Sequence, residues 1–377
     1  MSKVLFISQR DYEQDKIDSA VLRAFNHFGG IESFIKSGER VLLKVNLVAG
    51  HDITRRVTTD PSIVRAAAKL VLSQGATPFI ADSPGIDNFK SAAKKAGFLD
   101  VANELGIECK ELIEPVTLPV SRDSDFHKIQ VSKDVIDSDK IINLPKLKTH
   151  GQMLLTMGVK NLFGCIPGRL KAGWHYNVGL NRERFAGLLL DIYLNVKPCF
   201  TILDGVIGMH GNGPTSGDSY EFGIIAATQD AVTMDFWLAK MLGADLNEFS
   251  LYKAAKRRSF AQCNLTPEDI CGDLESSHVF SGVKLPRTRT MRLLPSIPFI
   301  DRLMTSKPVH IPDKCIGCGR CQDMCAAGAL RHENKHLYFD YSKCIRCYCC
   351  HEMCPVKAIE FQESRFVKLV NFLTVKK

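Results

Sequence analysis

The sequence predicts a mostly parallel α/β domain followed by a small α+β domain, and two observations predict it. From residue 1 to about 240, apolar runs of strand length alternate with segments of helical spacing, the pattern of stacked βαβ units. Near the C-terminus, two four-cysteine runs repeat each other at an offset of 29 residues. Lys314-Cys315-Ile316 matches Lys343-Cys344-Ile345, Met324-Cys325 matches Met353-Cys354, and Ala329-Leu330 matches Ala358-Ile359. The expected layout is an α/β domain over 1–283 and a basic, proline-containing connector over 284–306. A cysteine-rich domain over 307–361 and a helical tail over 362–377 complete it.

Each element has its local reason. Val4 to Ile7 is apolar and short, a strand. Helical spacing follows from Asp15 and closes at Gly29-Gly30. The apolar run from Val41 to Val45 is a second strand. Asp60-Pro61 opens a helix, with Asp60 as N-cap and Pro61 at the first helical position. A strand from Thr77 to Ala81 leads to a helical region broken at Gly97. Further strands are expected at Lys140 to Leu144, Phe200 to Leu203 and Phe222 to Thr228. Helices are expected from Glu183 to Val196 and, capped by Asp230, on to Leu242.

The cysteine runs read Cys315-x2-Cys318-x2-Cys321-x3-Cys325 and Cys344-x2-Cys347-x2-Cys350-x3-Cys354-Pro355. This is the spacing of a bacterial two-cluster ferredoxin, in which the fourth cysteine of each run serves the other cluster. Two [4Fe–4S] clusters are therefore expected. Cys315, Cys318, Cys321 and Cys354 take the first; Cys344, Cys347, Cys350 and Cys325 take the second. Three thiolates on one tight loop face three corners of a cubane, and the opposite half supplies the fourth. Zinc sites pair CxxC units across a longer gap and fit poorly. Two features depart from the pattern: Ala326 stands where proline is usual, and Cys349 is a ninth cysteine with no ligand role.

The net charge is +8. Much of it falls in the connector, whose residues 287–304 offer a basic, apolar surface for a membrane or an acidic redox partner. No aromatic–basic interleaving accompanies the charge, which argues against nucleic acid. The sequence shows no signal peptide and no apolar run long enough to span a membrane. Oxygen-labile clusters point to the reducing cytoplasm.

In open α/β sheets, ligands gather at the carboxyl ends of strands. Four predicted strands end in polar or glycine-rich turns: Asn46; Asp82-Ser83-Pro84-Gly85; Lys146 to Gly151; and Asp204, followed by His210-Gly211-Asn212-Gly213. The densest stretch, Asn143 to Asn177, carries Lys146, Lys148, His150, Lys160, Asn161, Arg169, Lys171 and His175 among five glycines, with no acidic residue. Cations without counter-ions beside bare backbone N–H groups make an anion site. We expect Lys146, Lys148, Asn161, Asp82, Asn46, Asp204 and His210 to bind an anionic small molecule. His150, His175 and Lys160 are the expected catalytic residues. A metal held by His150, His175 and His210 is the alternative. No P-loop is present, and Gly211-Asn212-Gly213 leads into a strand where a dinucleotide finger leads into a helix.

Lys44-Val45-Asn46-Leu47, Thr58-Thr59-Asp60-Pro61, Asp82-Ser83-Pro84-Gly85, Asn143 to His150, Gly158-Val159-Lys160-Asn161-Leu162-Phe163-Gly164 and Asp204-Gly205 with Gly211-Asn212-Gly213-Pro214 together resemble an uncharacterised family, number 362 among the domains of unknown function. The resemblance covers residues 1–285. It implies a prokaryotic iron–sulfur protein of oxidoreductase type, with no established reaction.

The expected function is an iron–sulfur oxidoreductase. It would pass electrons from an external ferredoxin or flavodoxin, through the two clusters, to an anionic substrate in the cleft. A flavin or other organic cofactor in that cleft stays open. The alternative is a non-enzymatic electron carrier or maturation factor whose α/β domain binds a partner.

Overall fold

The computed structural model describes residues 3–362, apart from 49, 51–52, 86, 121–123, 169, 180, 287–304 and 334–335. Arg169, the basic surface at 287–304 and the tail beyond Gln362 lie outside the described residues.

The main sheet has eleven strands. Its path runs Ile270–Gly272, Val4–Ser8, Ile224–Thr228, Phe200–His210, Lys140–Asn143, Arg40–Lys44, Thr77–Asp82 and Glu108–Glu111. From Phe200–His210 to Glu108–Glu111 all neighbours are parallel. Ile224–Thr228 is the antiparallel exception, paired with Phe200–His210 on one side and Val4–Ser8 on the other. The central strands are buried along most of their length because both faces are covered. Val4, Phe6, Leu42, Phe79 and Ala81 enter one core layer, while Leu5, Ile7, Val41, Leu43 and Ile80 enter the other.

The caps behave as their chemistry demands. Asp60 accepts the N–H of Ser62 at the start of helix Pro61–Ser73. Asp230 accepts those of Val232 and Thr233 at the start of Ala231–Met241. Gly97, at φ +77°, separates helices Phe89–Lys95 and Phe98–Leu105.

Two elements differ from the sequence reading, and both bear on the site. The strand from Phe200 runs eleven residues to His210, so Asp204 lies inside it instead of in a turn. Lys146–His150 is a fully buried strand, not a loop, paired with Phe200–His210 and Leu154–Thr156. Its alternation is polar on one side (Lys146, Lys148, His150) and holds Leu147 on the other, in the core. Charged residues at the alternate positions hid the period of two.

The cysteine-rich unit repeats itself in space as in sequence. Lys307–His310 pairs with Ile359–Gln362, and Leu330–Glu333 with His336–Phe339. Short helices Arg320–Asp323 and Cys349–Glu352 stand 29 residues apart. Left-handed backbone falls at Gly317, Gly319 and Gly328 in the first half and recurs at Arg346, Tyr348 and Lys357 in the second. The second half thus keeps the turn geometry without the glycines. Val283 and Leu285 pack against the α/β core.

This unit sits on the rim of the sheet. Thr215 Oγ1 donates to the carbonyl of Glu352 at 2.9 Å, and Arg55 to that of Pro355 at 3.0 Å. Arg320 pairs with Asp87 at 2.7 Å. The ring of Phe361 lies over Gly151, where a Cβ would collide with it.

Candidate functional site

A cavity of about 100 Å³ opens at the carboxyl edge of the sheet, under the cysteine-rich unit. From the α/β domain come Asn46, Asp82, Ser83, Lys148, His150, Lys160, Asn161, Phe163, Gly164, Lys171 and His175. From the cysteine-rich unit come Met324, Cys349, Glu352 and Met353. Of the sequence-predicted residues, Lys146, Asp204 and His210 are not among its lining.

Their absence has physical causes. Lys146 Nζ is 2.7 Å from Asp204 Oδ2, with both side chains fully buried. Tyr12 receives a hydrogen bond from Lys146 and donates one to Asp204, and the Asp60 N–H also donates to Asp204. That pair is closed on itself. His210 Nδ1 accepts the Lys284 N–H at 3.1 Å at the far end of its strand, so the three histidines do not converge. Among the described residues no group of histidine, cysteine and carboxylate side chains is arranged to hold a single metal ion.

Several lining residues are also spoken for. Asp82 pairs with Lys44 at 3.0 Å and accepts the N–H groups of Leu47 and Ser83. Lys148 donates to Asn46 Oδ1 and the Val57 carbonyl, both at 2.7 Å. Asn46 in turn donates to Asn161, and Asn161 to Asn143 and the Lys44 carbonyl. Lys171 donates to the Ser83 carbonyl. These groups build the walls and carry charge into them. Burial, then Lys160 and Lys146, push Lys148 down to about 7; burial pushes Lys171 down to about 8.

Four groups keep open valences. Lys160 has no salt bridge among the described residues; its ammonium stands 5.8 Å from the ring centroid of Phe163. Burial lowers its pKa and Glu352 opposes the shift. His150 Nε2, His175 Nδ1 and Glu352 Oε1 are buried and make no hydrogen bond. His150 Nε2 and Glu352 Oε1 are 3.1 Å apart, close enough for an ion pair but off the line of a hydrogen bond.

The His150 tautomer follows from its other nitrogen. Nδ1 accepts the N–H groups of Gln152 and Met153 at 3.1 and 3.2 Å, so the ring proton sits on Nε2, facing the cavity. Burial, followed by Lys160, lowers the His150 pKa and keeps the ring neutral. Burial alone would raise Glu352; His150 and then Lys160 pull it below the usual carboxylate range. With His150 neutral, Lys160 is the cation left to hold Glu352 ionised. A metal-bound histidine donates its second N–H outward, so this arrangement suits hydrogen-bond donation, not metal ligation.

Sequence reasoning missed Glu352, Cys349, Met324 and Met353, because the roof comes from the other domain. One signal was present: Glu352 and Asp323 occupy the same place in the two Cys-x3-Cys intervals.

The cysteines gather in two further cavities. One is lined by Cys315, Cys318, Cys321 and Cys354, the other by Cys325, Cys344, Cys347 and Cys350 with Cys349 beside them. Backbone N–H groups of Ala329 and Ala358 donate to Cys325 Sγ and Cys354 Sγ at 3.2 and 3.1 Å. A four-thiolate donor set in each cavity fits an iron–sulfur cluster.

Comparison with known proteins agrees with this layout. A 4Fe-4S dicluster domain matches residues 307–355, so the second unit is of iron–sulfur type. A thylakoid-associated protein of Synechocystis sp., sll1697, is 38% identical over 246 residues, 65% of this chain and 76% of that protein. The lactate racemase apoprotein of Thermoanaerobacterium thermosaccharolyticum aligns at a TM-score of 0.38 with 13% identity, over 61% of this chain and 55% of its own, too loose a likeness to argue from. No described helix is long and apolar enough to cross a membrane. The domain of unknown function DUF362 matches residues 41–240, and the chain belongs to that family.

Proposed function

We propose that this chain is an iron–sulfur oxidoreductase that acts on a small anion held in the cavity between its two domains. Cys315, Cys318, Cys321 and Cys354 hold one [4Fe–4S] cluster, and Cys344, Cys347, Cys350 and Cys325 the other. When bound, the clusters supply one-electron transfer. The observation that carries the reading is the shared cavity: Lys160, His150 and His175 meet Cys349, Glu352 and Met353 in one space. Binding chemistry and cluster ligands thus lie within a few residues of each other.

Lys160 attracts the anion, and Lys148 and Lys171 add positive potential from the walls. His150 Nε2–H donates to it, and Glu352 stands beside that proton. Met324, Met353 and Phe163 keep water out. A cavity of roughly 150 Å³ holds a benzene ring, so about 100 Å³ suits a small carboxylate or oxyanion. Electrons come from an external ferredoxin or flavodoxin in the reducing cytoplasm. Cys318 is the exposed ligand and the natural point of approach.

Anaerobically reconstituted protein should carry about eight irons, and Cys354→Ser should damage the cluster of Cys315 while sparing that of Cys344. Calorimetric titration with small carboxylates and phosphate, followed by EPR of the reduced protein with and without the binder, tests the cavity. Binding that perturbs the cluster signal, with turnover by reduced ferredoxin, supports the enzyme. If no anion binds, the chain is an electron carrier and its α/β domain a partner-binding module.

A further inference from the structure

The two cysteine cavities are copies of one design. Ile316, Ala358 and Ile359 in the wall of the first map, 29 residues apart, onto Ile345, Ala329 and Leu330 in the second. The first cavity carries two imidazoles and the second none: His310 and His332 both line the first, and each has a buried Nε2 with no hydrogen-bond partner among the described residues. His310 lines the first cavity, and Phe339 takes its place in the second.

The protonation of His310 is set by its surroundings. Nδ1 accepts the Leu337 N–H at 3.4 Å, which puts the ring proton on Nε2. That Nε2 is buried and has no hydrogen-bond partner among the described residues. A buried donor left unmade is costly, so an acceptor belongs there, and the cavity is the cysteine-lined one. The Phe339 ring offers no donor; it stacks on Tyr341 at 5.6 Å.

We propose that His310 donates its Nε2–H to the sulfur of the cluster held by Cys315, Cys318, Cys321 and Cys354, and so sets that cluster's potential. The inference rests on the ligand assignment proposed above. One-electron reduction makes the cluster and its thiolates more negative, so an N–H donor stabilises the reduced state more than the oxidised state and raises the potential. The second cluster lacks this donor: no histidine lines its cavity. The two clusters are therefore inequivalent by construction, and His310 acts on one of them.

The test uses full-length protein, anaerobically reconstituted, in a reductive titration followed by EPR. His310→Phe copies the residue that the second half carries at the same place. It should lower one midpoint by at least a tenfold shift in the reduction equilibrium, which is about 59 mV for one electron, and leave the other unchanged. His310→Gln keeps an N–H donor and should fall between. In wild type labelled with ¹⁵N-histidine, pulsed EPR should show a nitrogen coupling on one of the two cluster signals. Wild type without two clusters would defeat the ligand assignment itself. Two intact clusters with unmoved midpoints in His310→Phe overturn the inference. Should that variant fail to take up iron, ¹⁵N-histidine-labelled His310→Gln decides: loss of the histidine coupling seen in wild type supports the proposal, and an unchanged coupling, as His332 in the same wall would give, overturns it.

Discussion

Lys160 and Lys146 look interchangeable in the sequence, and the structure separates them. Lys146 lies 2.7 Å from Asp204, wholly buried. At an effective dielectric of 20 that separation is worth on the order of 6 kcal/mol of attraction before desolvation is subtracted. Removing one partner of such a pair costs about 3–5 kcal/mol, because a charge is left buried alone. Asp204 keeps donors from Tyr12 and the Asp60 N–H, which places Lys146→Met at the lower end, about 3 kcal/mol. Anion binding should survive that change. Lys160 has no salt bridge among the described residues, so Lys160→Ala breaks no ion pair, and Glu352, which it helps to hold ionised, keeps His150 at 3.1 Å. The substitution should instead weaken anion binding by about 2–5 kcal/mol, roughly thirty-fold to a few thousand-fold. Urea unfolding followed by fluorescence of the buried Trp237 gives the first quantity, and calorimetric titration of the reconstituted protein the second. Equal loss of binding in both variants, at equal iron content, would refute the argument that ion pairing divides wall from site.

Three further outcomes are expected. Lys148 has its pKa lowered to about 7 by burial and then by Lys160 and Lys146. Between that value and the unfolded one the folded state holds fewer protons, so this group's contribution to stability rises with pH above 7; an incoming anion reverses the shift, and binding at pH 8 should take up a proton, seen as dependence of the calorimetric heat on buffer ionisation enthalpy. Gly164→Ala should cost about 3 kcal/mol, because its Cβ would land on Lys44 Nζ and Asp82 Oδ1 and force that buried pair apart; a thermal midpoint within error of wild type would contradict this. A chain ending at Leu285 retains both large core clusters and should fold without iron, yet lose anion binding with the roof of the cavity; insolubility would mean that the domain interface is obligate.

What the sequence determined by itself was local. The cysteine spacing carries the two-cluster arrangement because three ligands of a cubane come from one short loop, and the 29-residue repeat predicts the crossed fourth ligand. Alternating apolar runs and the caps at Asp60 and Asp230 carry the α/β fold, since periodicity and capping act over a few residues. The strand Lys146–His150 was illegible because its alternate positions are charged, and a charge reads as exposure until its partner is known. That partner, Asp204, stands 58 residues away. Only tertiary structure decided which lysines are bonded into the walls and which, like Lys160, line the cavity with no salt bridge among the described residues. It also brought Glu352, 202 residues from His150 in the chain, to 3.1 Å of it. Ion pairing and burial depend on distances in space that no local pattern specifies, whereas spacing, caps and repeats are written along the chain.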